Sequence, residues 1–275
     1  MSIFEQAKAT AAFCDILKEL CPESNGNTTI DEAADDQNGK MRSWAIEWLR
    51  FAGNADAVDP LLERLDDRLP NIRAEAASAL AAIGDPRSLP KLREVLLNDS
   101  DPLNNTGARQ AIIYAIGEIG GTDDVATLLD AFPSSNRSNR LSIIKVLGDI
   151  ADKAPDFHTA HPEVTDLLLG ELGQGSDYHV IEALRRVADP RAADTLFDAL
   201  RSDNGSTRQS AAIGLGKIND PEVDARARDT LGLDDDVERK KLYDALITAA
   251  ILDELQGADY AGKVTARRMV ATRKL

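Results

Sequence analysis

Small and apolar residues recur along this chain in a fixed frame: three, six, seven and ten places after a repeated polar marker. Arg73 is followed by Ala76, Ala79, Leu80 and Ile83, Arg109 by Ile112, Ala115, Ile116 and Ile119, and Arg140 by Ile143, Val146, Leu147 and Ile150. Spacings of three and four residues gather such positions on one face of an α-helix. The frame is written seven times, with markers at Arg42, Arg73, Arg109, Arg140, Asp177, Arg208 and Arg239. The intervals are 31, 36, 31, 37, 31 and 31 residues. A fixed period of this size is the signature of a solenoid, in which each unit buries its apolar face against the next.

Between markers the pattern predicts a turn and a second helix. The turn is clearest in IGDPRSLP (83–90), VADPRAAD (187–194) and INDPEVDA (218–225). Asp or Asn there caps the following helix, and Pro suits its first turn. Val58, Leu61 and Leu65, then Leu89, Leu92 and Leu96, then Val125, Leu128 and Phe132, and Ala193, Leu196 and Leu200 supply the apolar stripe of these second helices. The expected architecture is all-α: a right-handed α-solenoid of about seven helix pairs.

Residues 1–21 read as an N-terminal capping helix, 22–40 as an acidic, Gly/Asn-rich flexible linker, 41–260 as the repeat array, and 261–275 as a basic C-terminal cap or tail. Two irregularities interrupt the array. KAPDFHTAH (153–161) is inserted as a loop between two helices. Asp224 falls where an apolar residue is expected, which marks EVDARARDTLG as the weakest helix.

The unit Arg-x-x-Ala-x-x-Ala-Leu-x-x-Ile-Gly-Asp-Pro, followed by a Leu-rich helix, resembles HEAT repeats. Its short period and its Gly-Asp-Pro turn are most similar to the HEAT-like subtype of phycobilisome bilin lyases. The resemblance spans about residues 41–260. It implies that each marker Arg pairs with an acid in the turn before it: Asp66 and Asp67 precede Arg73, Asp99 and Asp101 precede Arg109, Asp203 precedes Arg208, and Asp234, Asp235 and Asp236 precede Arg239. Arg140 has no such acid and Asp177 replaces the arginine, so the expected ladder breaks, and the solenoid bends, in the middle of the array.

Composition alters this picture in one respect. The net charge is −15, with 32 Asp and 15 Glu against 11 Lys and 21 Arg. Such an excess repels nucleic acid and anionic membranes. Abundant Asp and Ala with scarce Lys also resemble proteins of salt-loving archaea, in which acidity serves solubility at high salt. No apolar run is long enough to cross a membrane and the first residues lack a secretion signal, so the reading is cytoplasmic. Cys14 and Cys21 would lie about 10 Å apart along one helix, beyond the ~7 Å disulfide limit, as suits a reducing compartment.

Catalytic motifs are sparse. Some HEAT proteins are di-iron hydroxylases that use His-Glu dipeptides. This chain has three histidines, His158, His161 and His179, and none precedes a glutamate. Asp156, His158 and His161 share one insert but make too few ligands for a closed zinc site. GEIGG (117–121) follows a helix rather than a strand and reads as a helix end, not a phosphate loop. The glycines eight places after markers, Gly117, Gly148 and Gly216, read as helix-packing positions.

Subtracting the stacking positions leaves those two, five and nine places after each marker. They trace a ribbon expected to line a concave, partner-binding face. Its candidate contact residues are Trp44, Glu47, Tyr114, Glu118, Lys145, Glu182, Arg186, Lys217 and Lys241. Trp44 reads either as an interface anchor or as packing for the N-terminal cap. Arg185, Arg186, Lys217, Lys240 and Lys241 make the far end basic, suited either to an acidic protein segment or simply to solvent. The sequence reading is a non-enzymatic cytoplasmic scaffold or adaptor for another protein, using no cofactor and no metal, with no role at a membrane or on nucleic acid. A bilin-lyase-like enzyme or subunit, and an adaptor in an archaeal taxis complex, are the alternatives.

Overall fold

The computed structural model describes residues 10–15, 32–53, 55–98, 106–175, 177–234 and 237–251. Helices and tight turns make up the regular structure there, with no strand among the described residues. Residues 10–15 are helical (α1). They are followed by α2 (Glu32–Ala52), α3 (Val58–Glu63), α4 (Pro70–Ile83), α5 (Leu89–Asn98), α6 (Thr106–Ile119), α7 (Val125–Ala131) and α8 (Arg137–Lys153). The series continues with α9 (Phe157–Ala160), α10 (Pro162–Gly170), α11 (Asp177–Val187), α12 (Ala193–Ala199), α13 (Gly205–Lys217), α14 (Pro221–Leu231) and α15 (Arg239–Ile251). The seven marked helices are α2, α4, α6, α8, α11, α13 and α15. The fold is an α-solenoid.

Two compact units share the chain, Met1–Val146 and Leu147–Leu275. In the first, α2 packs on α4 and α4 on α6, while α3 backs α4 and α5 backs α6. In the second, α11 packs on α13 and α13 on α15, backed by α10, α12 and α14. Each unit is therefore two layers of helices with the apolar residues between them.

The four-position frame is buried nearly throughout. Ala76, Ala79 and Leu80, then Val180, Ala183, Leu184 and Val187, and Leu242, Ala245, Leu246 and Ala249 are all in the core. A fifth row, four places after each marker, is buried as well: Ile46, Ala77, Ile113, Ile144, Ile181, Ala212 and Tyr243. A stacked helix has neighbours within its own layer besides the helix behind it, so it buries more than the single stripe of an amphipathic surface helix. Each fully buried Leu or Ile contributes about 1.5–3 kcal/mol. Glycine lets the stack close. A β-carbon on Gly117 would lie 2.5 Å from Val146 Cγ1, and one on Gly148 would lie 3.2 Å from Ala183 Cα.

The marker arginines work differently from the expected ladder. Arg73 donates to the carbonyls of Asp67 (2.9 Å) and Arg68. Arg140 donates to those of Ser135 and Pro133, and Arg208 to those of Ser202 (2.7 Å) and Asp203. They cap the carbonyl-rich end of the preceding helix, where a cation also opposes the dipole. The carboxylate of a turn serves the previous marker instead: Asp67 forms a buried ion pair with Arg42 at 3.0 Å. Asp177 inverts the arrangement. Its carboxylate accepts the amide of Gly173 at 2.8 Å, in a turn where Gly173 and Gly175 have positive φ. That turn presents an N–H, so an acceptor takes the place of the arginine.

Three further expectations are corrected. The linker assigned to 22–40 is helical from Glu32, because the sequence EAADD suits a first turn, where the helix dipole favours acidic residues. Gly39, read as a loop signal, is a contact position: a β-carbon there would meet Leu69 Cδ1 at 2.7 Å. The 153–161 insert is not an open loop. It forms α9, anchored by buried Phe157, whose ring packs on His161 at 4.9 Å. Asp224 does not weaken α14. It accepts from Arg239 Nε at 3.0 and 3.1 Å and from the Tyr243 hydroxyl at 2.8 Å. The 261–275 tail lies outside the described residues.

The Asp-Pro-Arg turns hold the outer layer. Asp85 and Asp189 cap the following 3-10 turn through the Arg87 and Arg191 amides. The same arginines reach back to the Ala55 and Pro162 carbonyls. Burial works against the Asp189 carboxylate, but Arg191 outweighs it and holds the pKa below the ordinary range.

Candidate partner-binding face

Contacts between adjacent marked helices fix how the ribbon is assembled. In the first unit Ser142 Oγ donates to the Tyr114 hydroxyl at 3.4 Å. In the second, Ser210 Oγ donates to Glu182 Oε2 at 2.7 Å. Both pairs join the fifth position after one marker to the second position after the next. The ribbon therefore has a physical register, repeated in each unit. Ser142 and Ser210, expected to face away from the core, are buried by these crossings.

On the first unit the ribbon is aromatic and acidic. Trp44 is 59% exposed, Phe51 82% and Tyr114 38%. Met41 is exposed beside them on α2. Trp44 is at once open and supported. The Phe13 ring meets it edge-on at 5.6 Å and stacks on Trp48 at 4.9 Å, so Trp44 is both an open aromatic and a packing residue. Phe13 belongs to α1, and no frame relative to a marker could have singled it out. The Lys145 ammonium lies 5.2 Å from the centre of the Tyr114 ring, a geometry worth about 0.5–1 kcal/mol at an exposed site. Glu47 and Glu118 are exposed. Glu75 is half-buried, and its Oε2 is shut from solvent without a hydrogen-bond partner among the described residues.

The second unit is different in kind. Its basic residues are already engaged. Arg186 pairs with Asp149 and, at 3.2 Å, with Glu182. Arg185 pairs with Glu182 at 2.5 Å, and Lys217 with Asp152. Burial disfavours the Glu182 carboxylate, but hydrogen bonds from Arg185 and Ser210 hold its pKa below the usual value. The Lys217 hydrogen bond lowers that of Asp152. This end is a neutralised network rather than the open basic patch expected from the sequence. Lys241 is exposed and lies 3.8 Å from Glu238. All nine candidate residues are exposed or half-buried, but they divide between an unpaired set and a paired one.

Asp156, His158 and His161 do not converge. His161 Nδ1 lies 3.3 Å from Glu163 Oε1, and Asp156 lends its carbonyl to Thr159. No helix among the described residues is long and apolar enough to cross a membrane.

A family model described as HEAT repeats matches residues 27–111 and 174–247, more than half of the chain. The deoxyhypusine hydroxylase of Cryptococcus neoformans is 26% identical over 257 residues, covering 84% of this chain and 68% of that protein. A protein named as uncharacterized phycocyanin operon protein Y, from Pseudanabaena tenuis, is 38% identical over 82 residues. That match covers 28% of this chain and 19% of the relative. Among solved structures, a phycocyanin lyase complex of two subunits from a Nostoc species has a TM-score of 0.41 at 18% identity, covering 90% of this chain and 85% of that one. Human deoxyhypusine hydroxylase has a TM-score of 0.40 at 17% identity, covering 98% of each chain. The expectation that the chain is no enzyme is corrected here: the relative that aligns with most of its length carries an enzyme's name.

Proposed function

We propose, from the premise that the chain belongs to the HEAT-repeat family, that it is the polypeptide-holding component of an enzyme or enzyme assembly. The observation that carries the reading is the ribbon itself. Every recurrent residue of the seven marked helices is committed to stacking. What is left over is one register-fixed row that keeps Trp44 and Tyr114 open to solvent. Large aromatics on a rigid backbone are favoured interface anchors because little side-chain freedom is lost on binding. The enzymatic half of the proposal is supported by the name of the relative that covers most of the chain. Absence of His-Glu dipeptides argues against hydroxylation as the chemistry, and the short match to the phycocyanin operon protein leaves a lyase-type assembly as the class to test.

The test is affinity capture from the source organism at its own salt, with the wild-type chain and a Trp44→Ala/Tyr114→Ala variant of matched thermal stability. Loss of the same captured protein from the double variant is the expected result. An unchanged set of captured proteins would refute the ribbon as the binding face. Mixing the chain with a bilin and recording visible absorbance tests the lyase-type reading, which an unshifted spectrum would remove.

A further inference from the structure

The two halves of the ribbon treat charge in opposite ways. In the second unit each acid of the network faces a base: Asp149 with Arg186, Glu182 with Arg185, Asp152 with Lys217. In the first unit Glu47, Glu75 and Glu118 form no ion pair among the described residues. The crossing that joins Tyr114 to Ser142 and Glu182 to Ser210 also sets position 47 of α2 against position 75 of α4. Two carboxylates thus share one crossing. One of them has an oxygen that is shut from solvent and meets no donor among the described residues. Like charges so placed disfavour each other, and a buried acceptor left unmatched costs about 1–3 kcal/mol. Around this crossing α2 exposes Met41, Trp44 and Phe51.

Resting on the reading of the ribbon as a protein-binding face, we propose that the first unit recognises a cationic amphipathic polypeptide segment. A Lys or Arg of the partner enters the Glu47–Glu75 crossing, and an adjacent apolar side chain covers Trp44. The charge the crossing lacks comes from the partner, whereas the second unit supplies its own. A guanidinium suits the site well because its fork of donors can satisfy both carboxylates at once. An acidic segment is excluded by the same charges that attract a basic one.

Fluorescence anisotropy with two labelled peptides of about 14 residues tests this, one of alternating Lys and Leu and one of alternating Glu and Leu; that length gives either peptide several turns with which to span the ribbon. The full-length chain is expected to bind the first and not the second. Glu47→Gln/Glu75→Gln should weaken binding about tenfold, in the range of losses for desolvated charge pairs. Trp44→Ala should weaken it by a similar factor. Asp130→Asn/Asp198→Asn removes equal charge from exposed sites on α7 and α12, and should leave affinity within about twofold. Equal losses in the two double variants would show only attraction to net negative charge and would overturn the proposal. So would binding of the Glu peptide, or self-association of the free chain that Trp44→Ala abolishes. If neither peptide binds while cellular capture still depends on Trp44, the inference falls and the protein-binding reading stands. If capture is independent of Trp44 and Tyr114, that reading falls with it.

Discussion

Replacing Asp224 with leucine separates what the repeat pattern prescribes from what the packing requires. By the frame, Asp224→Leu restores an apolar stripe and stabilises α14. In the structure, the carboxylate receives Arg239 Nε on both oxygens and the Tyr243 hydroxyl on one. The Arg239 side chain is 37% exposed, so losing that ion pair costs only about 0.5–1 kcal/mol. Tyr243 is buried, and its hydroxyl would be left unsatisfied at a cost of about 1–3 kcal/mol. Burying a leucine side chain offsets about 1–2 kcal/mol of this. The net expectation is destabilisation by about 1–2 kcal/mol, or roughly 3–6 °C in Tm for a domain of this size. Thermal unfolding followed by circular dichroism measures it. A double-mutant cycle with Tyr243→Phe isolates the hydroxyl, whose removal should be costly in the wild type and neutral or stabilising in the Asp224→Leu background. A rise in Tm for Asp224→Leu, or additivity within about 0.5 kcal/mol, would refute the reasoning. Titration supplies a second readout. Burial, then the Asp224 hydrogen bond, raise the Tyr243 pKa well above the usual phenol range. The unfolded chain therefore ionises first. The stability this group contributes is full below about pH 10 and is lost as pH rises beyond it.

Other substitutions probe other joints. Asp177→Arg, which restores the repeat consensus, should lower the urea midpoint by the equivalent of about 1 kcal/mol, because it removes the acceptor for the Gly173 amide; an increase would show that the turn can invert to suit arginine. Gly214→Ala gains about 1 kcal/mol of helix propensity but places a β-carbon 3.0 Å from Arg185 Cα and 3.1 Å from Leu196 Cδ1. Overpacking of about 1–3 kcal/mol should make it net destabilising in chemical denaturation, and a more stable variant would contradict the close stacking of α11 and α13. The lowered Asp189 pKa puts its contribution at full strength above the usual carboxylate range and removes it as pH falls through the depressed value. Asp189→Asn should therefore flatten the acid limb of a stability-versus-pH curve below about pH 4, and an unchanged limb would count against the Arg191 pairing.

Much of the layer geometry was legible from spacing because stacking acts on every repeat alike. A residue at three, six or seven places after a marker meets the same environment each time, and a recurring pattern results. The exceptions escape the pattern for one shared reason. Asp224 looks like a fault, Asp177 like a missing rung, and Gly39 like a loop, since each is explained by a partner that lies elsewhere in sequence: Tyr243 and Arg239, the Gly173 amide, and Leu69. The basic residues of α11 and α13 were visible as charges. That Asp149 and Asp152 neutralise them depends on the approach of α8, which no local pattern encodes.

By itself, then, the sequence determined the helices, their seven-fold register, the buried face of each, and the row left over for binding, since these follow from side-chain hydrophobicity and the helical repeat. The tertiary structure decided which charges in that row remain unspent. Ion pairs depend on distances between different helices, and those distances set Glu47 and Glu75 together without a cation while closing Arg186 onto Asp149.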